Sequence, residues 1–304
     1  MDIKQIFKPI QKDLELVENE LRAQIEEIGI NSGEYSGEYI DKAVKHLFLI
    51  PGKRLRPALV LLSARAVSSA GEGSDSFTGK GGVSESSHFN TPDSWIQMAT
   101  AVELLHSASL VHDDIIDESE QRRKQQSLNK KYGNKIAVLV GDVLYSQFFS
   151  LLTNIAIENY EQKLSIFKTF CKITQKMCFG EINQLRVIRN GVSPGFREYI
   201  DILTSKTASL MSASCRCGAI LAGGGDEAVK LFSDFGLNVG LAYQLADDFI
   251  DNDSIFKNRV DMVDKADYYI KEAKKNISIF RDGTAKIHLY SLCDFILDRA
   301  QNGE

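Results

Sequence analysis

The chain has 304 residues, 43% of them hydrophobic and 25% charged, with a formal net charge of −5. That balance is ordinary for a folded globular protein and excludes wholesale disorder. An acidic excess is the wrong sign for a general nucleic-acid binder, although a local basic cluster can still hold a small anion. Five prolines occur and none follows Pro194, so the carboxy-terminal third is free to run in long helices. The five cysteines are scattered without a CxxC pair, and the opening MDIKQIFKPIQKDLE has no apolar signal core. Reduced thiols and a cytoplasmic setting are expected.

In chain order, residues 10–30 place apolar side chains at helical spacing among charges, the pattern of a surface helix with one buried face. A second helical stretch, Tyr39 to Leu49, stops at Pro51-Gly52, and Pro57 is suited to open the next helix. From Ser68 to Pro92 the composition turns to Gly and Ser, which cannot bury a core, so a flexible surface loop is expected at 68–92. Helical patterns follow over about 93–118, 133–157, 160–187, 196–222, 226–252 and 260–300. The longest apolar run, Ile136 to Ile157, carries Asp142, Gln147 and Asn154, which favours a buried helix over a membrane span. No transmembrane segment is expected. No run alternates as a strand does, and the reading is a single all-α domain over 1–304.

Two segments echo each other. LLHSASLVHDDIID (104–117) and VGLAYQLADDFID (239–251) both end an apolar helical run in Asp-Asp-x-x-Asp. Positions i and i+4 lie about 40° apart around a helix axis. Asp113 and Asp117 therefore share a face, as do Asp247 and Asp251, with Asp114 and Asp248 beside them. Carboxylates packed this way repel one another unless a cation compensates. Oxygen-only sites suit hard ions, and Mg²⁺ commonly takes one or two carboxylates plus phosphate oxygens. A single DxxxD reads as a solvated helix end; two doubled copies below apolar runs point to metal–phosphate binding.

Basic partners stand near the acids. Pro51-Gly-Lys-Arg-Leu-Arg-Pro57 gathers three cations at a helix start, where free N–H groups and the dipole already favour anions. Arg122-Arg123-Lys124 follows the first acidic cluster, at the end of the same helix or in the loop after it. Together they suggest one diphosphate held by metal on one side and guanidinium forks on the other. His106 lies two turns before Asp113 on its face.

GKRLRP, ELLHSASLVHDDIIDESEQRR, GDVLYSQFF, CFGEINQL, YIDILTSKTASLMSASCRCGAILAGG and GLAYQLADDFID, in this order, resemble the trans-polyprenyl diphosphate synthases. The resemblance implies a bundle of long helices around a deep central cavity, a homodimer, and Mg²⁺-dependent condensation of an allylic diphosphate with isopentenyl diphosphate. It implies that Asp113, Asp117, Asp247 and Asp251 face the metal ions, with Asp114 and Asp248 adjoining. Arg122, Lys206, Thr207 and Gln244 would serve the allylic diphosphate. Lys53, Arg56, His106 and Arg123 would bind isopentenyl diphosphate. In this family bulky aromatics one turn below the first aspartate stop the product early. Here Ala108 and Ser109 stand there, which implies an open floor and a product of twenty carbons or longer, like the geranylgeranyl to octaprenyl synthases. Val102, Leu105, Phe148 and Phe149 would form the deeper wall.

The chain departs from the family after DDFID, where a Gly-Lys-rich loop with a diphosphate-binding lysine is expected and NDSIFKNRVD stands instead. Lys257 and Arg259 are weak stand-ins. The gap keeps open a non-catalytic regulatory subunit of a heteromeric synthase. A class I terpene cyclase is a further alternative, less favoured because its second metal motif differs from DDFID.

Overall fold

The computed structural model describes residues 3–71, 92–251, 254–256 and 258–302. As expected, the fold is all-α. The helices are α1 (Ile3–Ile6), α2 (Gln11–Asn31), α3 (Gly33–Phe48), α4 (Leu55–Gly71), α5 (Asp93–Ile116), α6 (Leu128–Tyr132), α7 (Asn134–Asn154), α8 (Tyr160–Asn190), α9 (Phe196–Leu203), α10 (Ser209–Leu221), α11 (Asp226–Asp251), α12 (Arg259–Asn276) and α13 (Thr284–Asn302). The chain forms two compact units.

One unit comprises Lys12–Pro57 and Thr91–Ala156. Its α2 buries Val17, Leu21, Ile25 and Ile28, the apolar row that the sequence pattern marks. Helix α5 is buried along most of its length, with the polar Thr100, Glu103 and Ser107 enclosed among its small and aliphatic residues. Helix α7 packs on α5 and buries Val140, Leu144, Phe148 and Leu151. Gly141 permits this approach, since a Cβ there would collide with the His112 ring. The expected buried helix at 133–157 is thus buried on one face and leaves Val138 and Leu139 exposed on the other. Helix α7 is also the one described helix long and apolar enough to cross a membrane, with 44% of its apolar window buried inside the fold.

Between α5 and α6 lies a hairpin that the sequence pattern does not reveal. Strands β1 (Gln121–Arg122) and β2 (Gln125–Gln126) pair antiparallel across Arg123 and Lys124, both left-handed at φ 52° and 66°. Two central residues at positive φ are what a two-residue hairpin turn demands, and Asn-Gly normally supplies them.

The second unit comprises Met1–Gln11, Ala58–Asn90 and Ile157–Glu304. Helix α8 starts where the Asn159 side chain accepts the Gln162 N–H and ends at Gly191, left-handed at φ 65°. Helix α11 packs between α10 and α12. The expected helix over 196–222 contains a π turn, Thr204–Ala208, between α9 and α10. The expected helix over 260–300 is two helices. They break at Ile277–Gly283, where the buried Lys286 ammonium donates to the Ser278 and Phe280 carbonyls (2.8 and 2.6 Å) and to Asp282 (2.9 Å). A lysine serving carbonyls that a continuing helix would occupy fixes the break. At the other discrepancy, α4 runs through Ser68 to Gly71, with the Ser69 hydroxyl bonded back to the Arg65 carbonyl at 2.8 Å. The rest of the expected 68–92 loop, apart from Pro92, lies outside the described residues, as does Lys257.

Candidate active site

Helix α5 carries the first acidic motif at its carboxy-terminal end. The helix stops at Ile116, and Asp117 is its cap, its N–H still bonded to the Asp113 carbonyl at 2.8 Å. The helical turn is therefore intact from Asp113 to Asp117, and the two carboxylates share a face. Asp117 is exposed, Asp113 half-buried and Asp114 buried. Asp114 is committed elsewhere: the Arg122 Nε lies 2.8 and 2.7 Å from its two oxygens, and Nη2 2.6 Å from Oδ1. The hairpin supplies that fork by turning the chain back over the helix end. Arg122 and Arg123 thus stand in the hairpin, not in a helix.

The same unit brings the GKRLRP segment to α5. Arg56 Nη1 lies 3.0 Å from His106 Nε2. A guanidinium has no acceptor, so Nε2 must accept and His106 is neutral. Desolvation, then the positive charges of Arg56, Arg123, Arg122 and Arg54, hold the His106 imidazole well below its usual range. Arg123 Nη1 donates to the Ile50 carbonyl at 2.9 Å, and its guanidinium fills the space where a side chain on residue 52 would begin, which accounts for Gly52. Lys53 is exposed beside them.

Arg54 has a different part, which the motif alone does not disclose. It is 7% exposed and donates Nη1 to Glu103 at 2.5 Å, Nη2 to Glu18 at 3.1 Å, and Nε also to Glu18. Its φ is 53°, a conformation uncommon for a residue with a side chain. The Glu18–Arg54–Glu103 clamp ties α2, the loop and α5 together, and so holds Lys53 and Arg56 on either side of a buried anchor.

On α5, Ala108 is fully buried, and Ser109, one turn below Asp113, bonds its hydroxyl to the His106 carbonyl at 2.9 Å. Val102, Leu105 and Phe148 are fully buried, and the Phe149 ring meets Phe148 edge-on at 4.8 Å.

The second acidic motif ends α11 in the other unit. Asp248 takes the Gln244 amide at 2.7 Å and the Tyr199 hydroxyl, with Ser254 at 3.4 Å. Gln244 in turn accepts the Thr207 hydroxyl at 3.0 Å. Asp247 pairs with Arg299 of α13 at 2.7 Å, and that guanidinium also lies over the Tyr243 ring. Asp251 is exposed. Lys206, on the π turn, lies 2.6 Å from Glu181 of α8. The contact is ionic, since neither Glu181 oxygen has an aligned hydrogen bond.

Within the first unit, then, the structure brings together Arg56, His106, Arg122 and Arg123 with Asp113, Asp114 and Asp117. Within the second it joins Thr207, Gln244 and Asp248, and sets Lys206 on Glu181. Arg54, Glu18, Glu103, Glu181, Tyr199 and Arg299 are participants the sequence reading did not assign. Arg54, Glu103, Glu181 and Tyr199 lie inside the motifs quoted above, where a signal could have been sought, whereas Glu18 and Arg299 lie outside all of them. Among the described residues no three His, Cys, Asp or Glu side chains converge on one metal position.

The polyprenyl synthetase family profile matches residues 37–264. A decaprenyl-diphosphate synthase of Dictyostelium discoideum is 32% identical over 254 residues, covering 81% of this chain and 49% of that protein. A protein of Porphyra purpurea named prenyl transferase is 34% identical over 249 residues, covering 81% of this chain and 66% of its own length. This chain therefore spans about half to two thirds of such relatives. A crystal structure of a geranylgeranyl pyrophosphate synthetase from Pyrococcus horikoshii superposes with a TM-score of 0.79 at 24% identity, covering 97% of this chain and 98% of that one, which shows the shared fold.

Proposed function

We propose that this chain, which belongs to the polyprenyl synthetase family, is a Mg²⁺-dependent prenyltransferase. In this reading it joins an allylic diphosphate to isopentenyl diphosphate, releases pyrophosphate, and makes a trans-polyprenyl diphosphate of twenty carbons or longer. The observation that carries the reading is the neutral His106 set among Arg54, Arg56, Arg122 and Arg123, on the same helix as Asp113. A cationic pocket whose histidine has given up its own charge is made for an anion, and a carboxylate rim beside it is made for that anion's counter-ion.

Asp113, Asp117, Asp247 and Asp251 would hold Mg²⁺. The donors are all hard oxygens, and two carboxylates per motif fit an ion that completes its shell with water and phosphate oxygens. That mode of binding needs no three converging protein ligands, in keeping with the described side chains. Bound there, Mg²⁺ supplies neutralising charge for the departing diphosphate. Arg122, Lys206, Thr207 and Gln244 bind the allylic diphosphate, and the two cations stabilise the negative charge that grows as the C–O bond breaks. Lys53, Arg56, His106 and Arg123 hold isopentenyl diphosphate. Its double bond forms the new carbon–carbon bond, and the proton then lost passes to pyrophosphate. The apolar lining of Val102, Leu105, Ala108 and Phe148 keeps water from the allylic cation.

Further elements of the proposal are a homodimer and a cytoplasmic setting. The exposed row Phe179, Ile182, Leu185 and Ile188 along α8 supports the first, since apolar rows on a helix commonly mark a protein partner. The five free cysteines, three of them buried with thiols pushed up to about 12, support the second.

The test is an assay of the purified chain with Mg²⁺, farnesyl diphosphate and labelled isopentenyl diphosphate. Label incorporated into a longer polyprenyl diphosphate is expected. A hydrocarbon released from the allylic substrate alone would replace this reading with a cyclase. Turnover only after a second polypeptide is added would replace it with a regulatory subunit.

A further inference from the structure

We infer that Glu181 is the positioning residue for Lys206, fixing the ammonium at the end of its flexible stem so that it meets the allylic diphosphate. The inference rests on the role proposed above for Lys206 and names what delivers it.

The π turn Thr204–Ala208 is the local cause. A π turn adds a residue to the helical repeat and redirects side chains, and such turns gather at functional sites. Here it lies between two helices that approach it through glycine. A Cβ on Gly180 of α8 would stand 2.8 Å from the Lys206 backbone nitrogen, and one on Gly240 of α11 would stand 2.6 Å from the Ala208 Cα. Successive residues of the turn are then read by different neighbours. Lys206 meets Glu181 at 2.6 Å, the residue after Gly180, whereas Thr207 donates to Gln244 at 3.0 Å, one turn beyond Gly240 on α11.

The burial is asymmetric. The Glu181 side chain is 8% exposed and that of Lys206 is 22%. A carboxylate so far from solvent is costly unless a cation faces it, and the Lys206 ammonium faces this one at 2.6 Å. The lysine keeps a solvent-facing side, so its ammonium can meet a phosphate while the carboxylate holds it from behind. A lone lysine samples many rotamers, and a fixed partner removes that freedom before the ligand arrives. The CFGEINQL motif therefore acts through its glycine and glutamate together: Gly180 admits the turn and Glu181 aims what the turn carries.

The experiment is a double-mutant cycle on the full chain with Glu181→Gln, Lys206→Met and the double variant. Affinity for the unreactive analogue farnesyl thiolodiphosphate is measured by calorimetry, and KM is measured separately for the allylic and isopentenyl substrates. Glu181→Gln is expected to weaken analogue binding by about tenfold, as loss of one charge-assisted contact does. The double variant should be no weaker than Lys206→Met alone, because the glutamate acts only through the lysine. The allylic KM should rise and the isopentenyl KM stay level, and Glu181→Asp, which keeps the charge, should recover most of the loss. Additive losses, or equal increases in both KM values, would overturn the inference and leave Glu181 a packing residue. Unchanged affinity in Lys206→Met would instead overturn the role of Lys206 itself. Should Glu181→Gln fail to fold, Glu181→Met, an uncharged side chain of similar length, takes its place in the cycle against the same additivity criterion.

Discussion

Replacing Arg54 by Asn removes the guanidinium from the Glu18–Arg54–Glu103 clamp while leaving the backbone content, because Asn tolerates the left-handed conformation found there at φ 53°. The measured loss then reports the ion pairs, not strain. Glu103, at 3% side-chain exposure, is left as a buried carboxylate without its cation, whereas Glu18, at 30%, can turn partly to water. Breaking a fully buried pair costs about 3–5 kcal/mol, and an exposed pair about 0.2–1 kcal/mol. With one partner of each kind the expected loss is about 3–4 kcal/mol. Urea denaturation followed by circular dichroism measures it. Adding Glu103→Gln to Arg54→Asn should recover about half, since the uncompensated charge is the main penalty. A loss below about 1 kcal/mol, the level of a surface pair, would show that the clamp is not buried in the working protein and would remove the reason given for the placement of Lys53 and Arg56.

Arg299→Gln takes away the cation now resting on Asp247, so Mn²⁺ titrated without substrate and followed by electron paramagnetic resonance should bind up to about fivefold more tightly; unchanged affinity would count against a metal role for Asp247. The depressed His106 pKa gives the imidazole a pH signature. Below about pH 6.5 the unfolded chain takes up a proton that the folded chain refuses, so stability attributable to His106 is full above that pH and falls by up to about 1.4 kcal/mol per unit beneath it. His106→Gln should flatten that part of the melting-temperature profile, and an identical profile would contradict a neutral His106. Ala108→Tyr or Ser109→Phe should shorten the product seen by chromatography, and an unchanged chain length would refute the placement of the floor.

Much of the fold was legible because helical periodicity survives without knowledge of neighbours. The rows Val17, Leu21, Ile25 and Ile28 on α2 and Val140, Leu144, Phe148 and Leu151 on α7 are written into residue type alone. What escaped depends on contacts across the chain. The break between α12 and α13 carries no proline, and depends on the Lys286 ammonium gathering carbonyls at Ser278 and Phe280. The hairpin escaped because Arg123-Lys124 lacks the Asn or Gly that advertises such a turn. The π turn escaped because nothing within TSKTA marks it: Gly180 and Gly240, which let two helices close on it, stand well before and after it in the chain.

The two acidic motifs show where the sequence stops informing. Both spell DDxxD, and periodicity correctly sets the first and last aspartates on one face. It says nothing about which carboxylates are already engaged. In the first motif the middle residue, Asp114, is held by Arg122 only eight positions away, through a hairpin built for that reach. In the second the middle residue, Asp248, is held by neutral donors, Tyr199 and Gln244, while the first, Asp247, faces Arg299, 52 positions on. A guanidinium and a hydroxyl are not equivalent partners. The first pins a charge by a charge, and the second orients a carboxylate through the dipoles of a hydroxyl and an amide. Identical letters therefore set a guanidinium on the middle aspartate of one motif and on the leading aspartate of the other, a difference that no spacing rule contains.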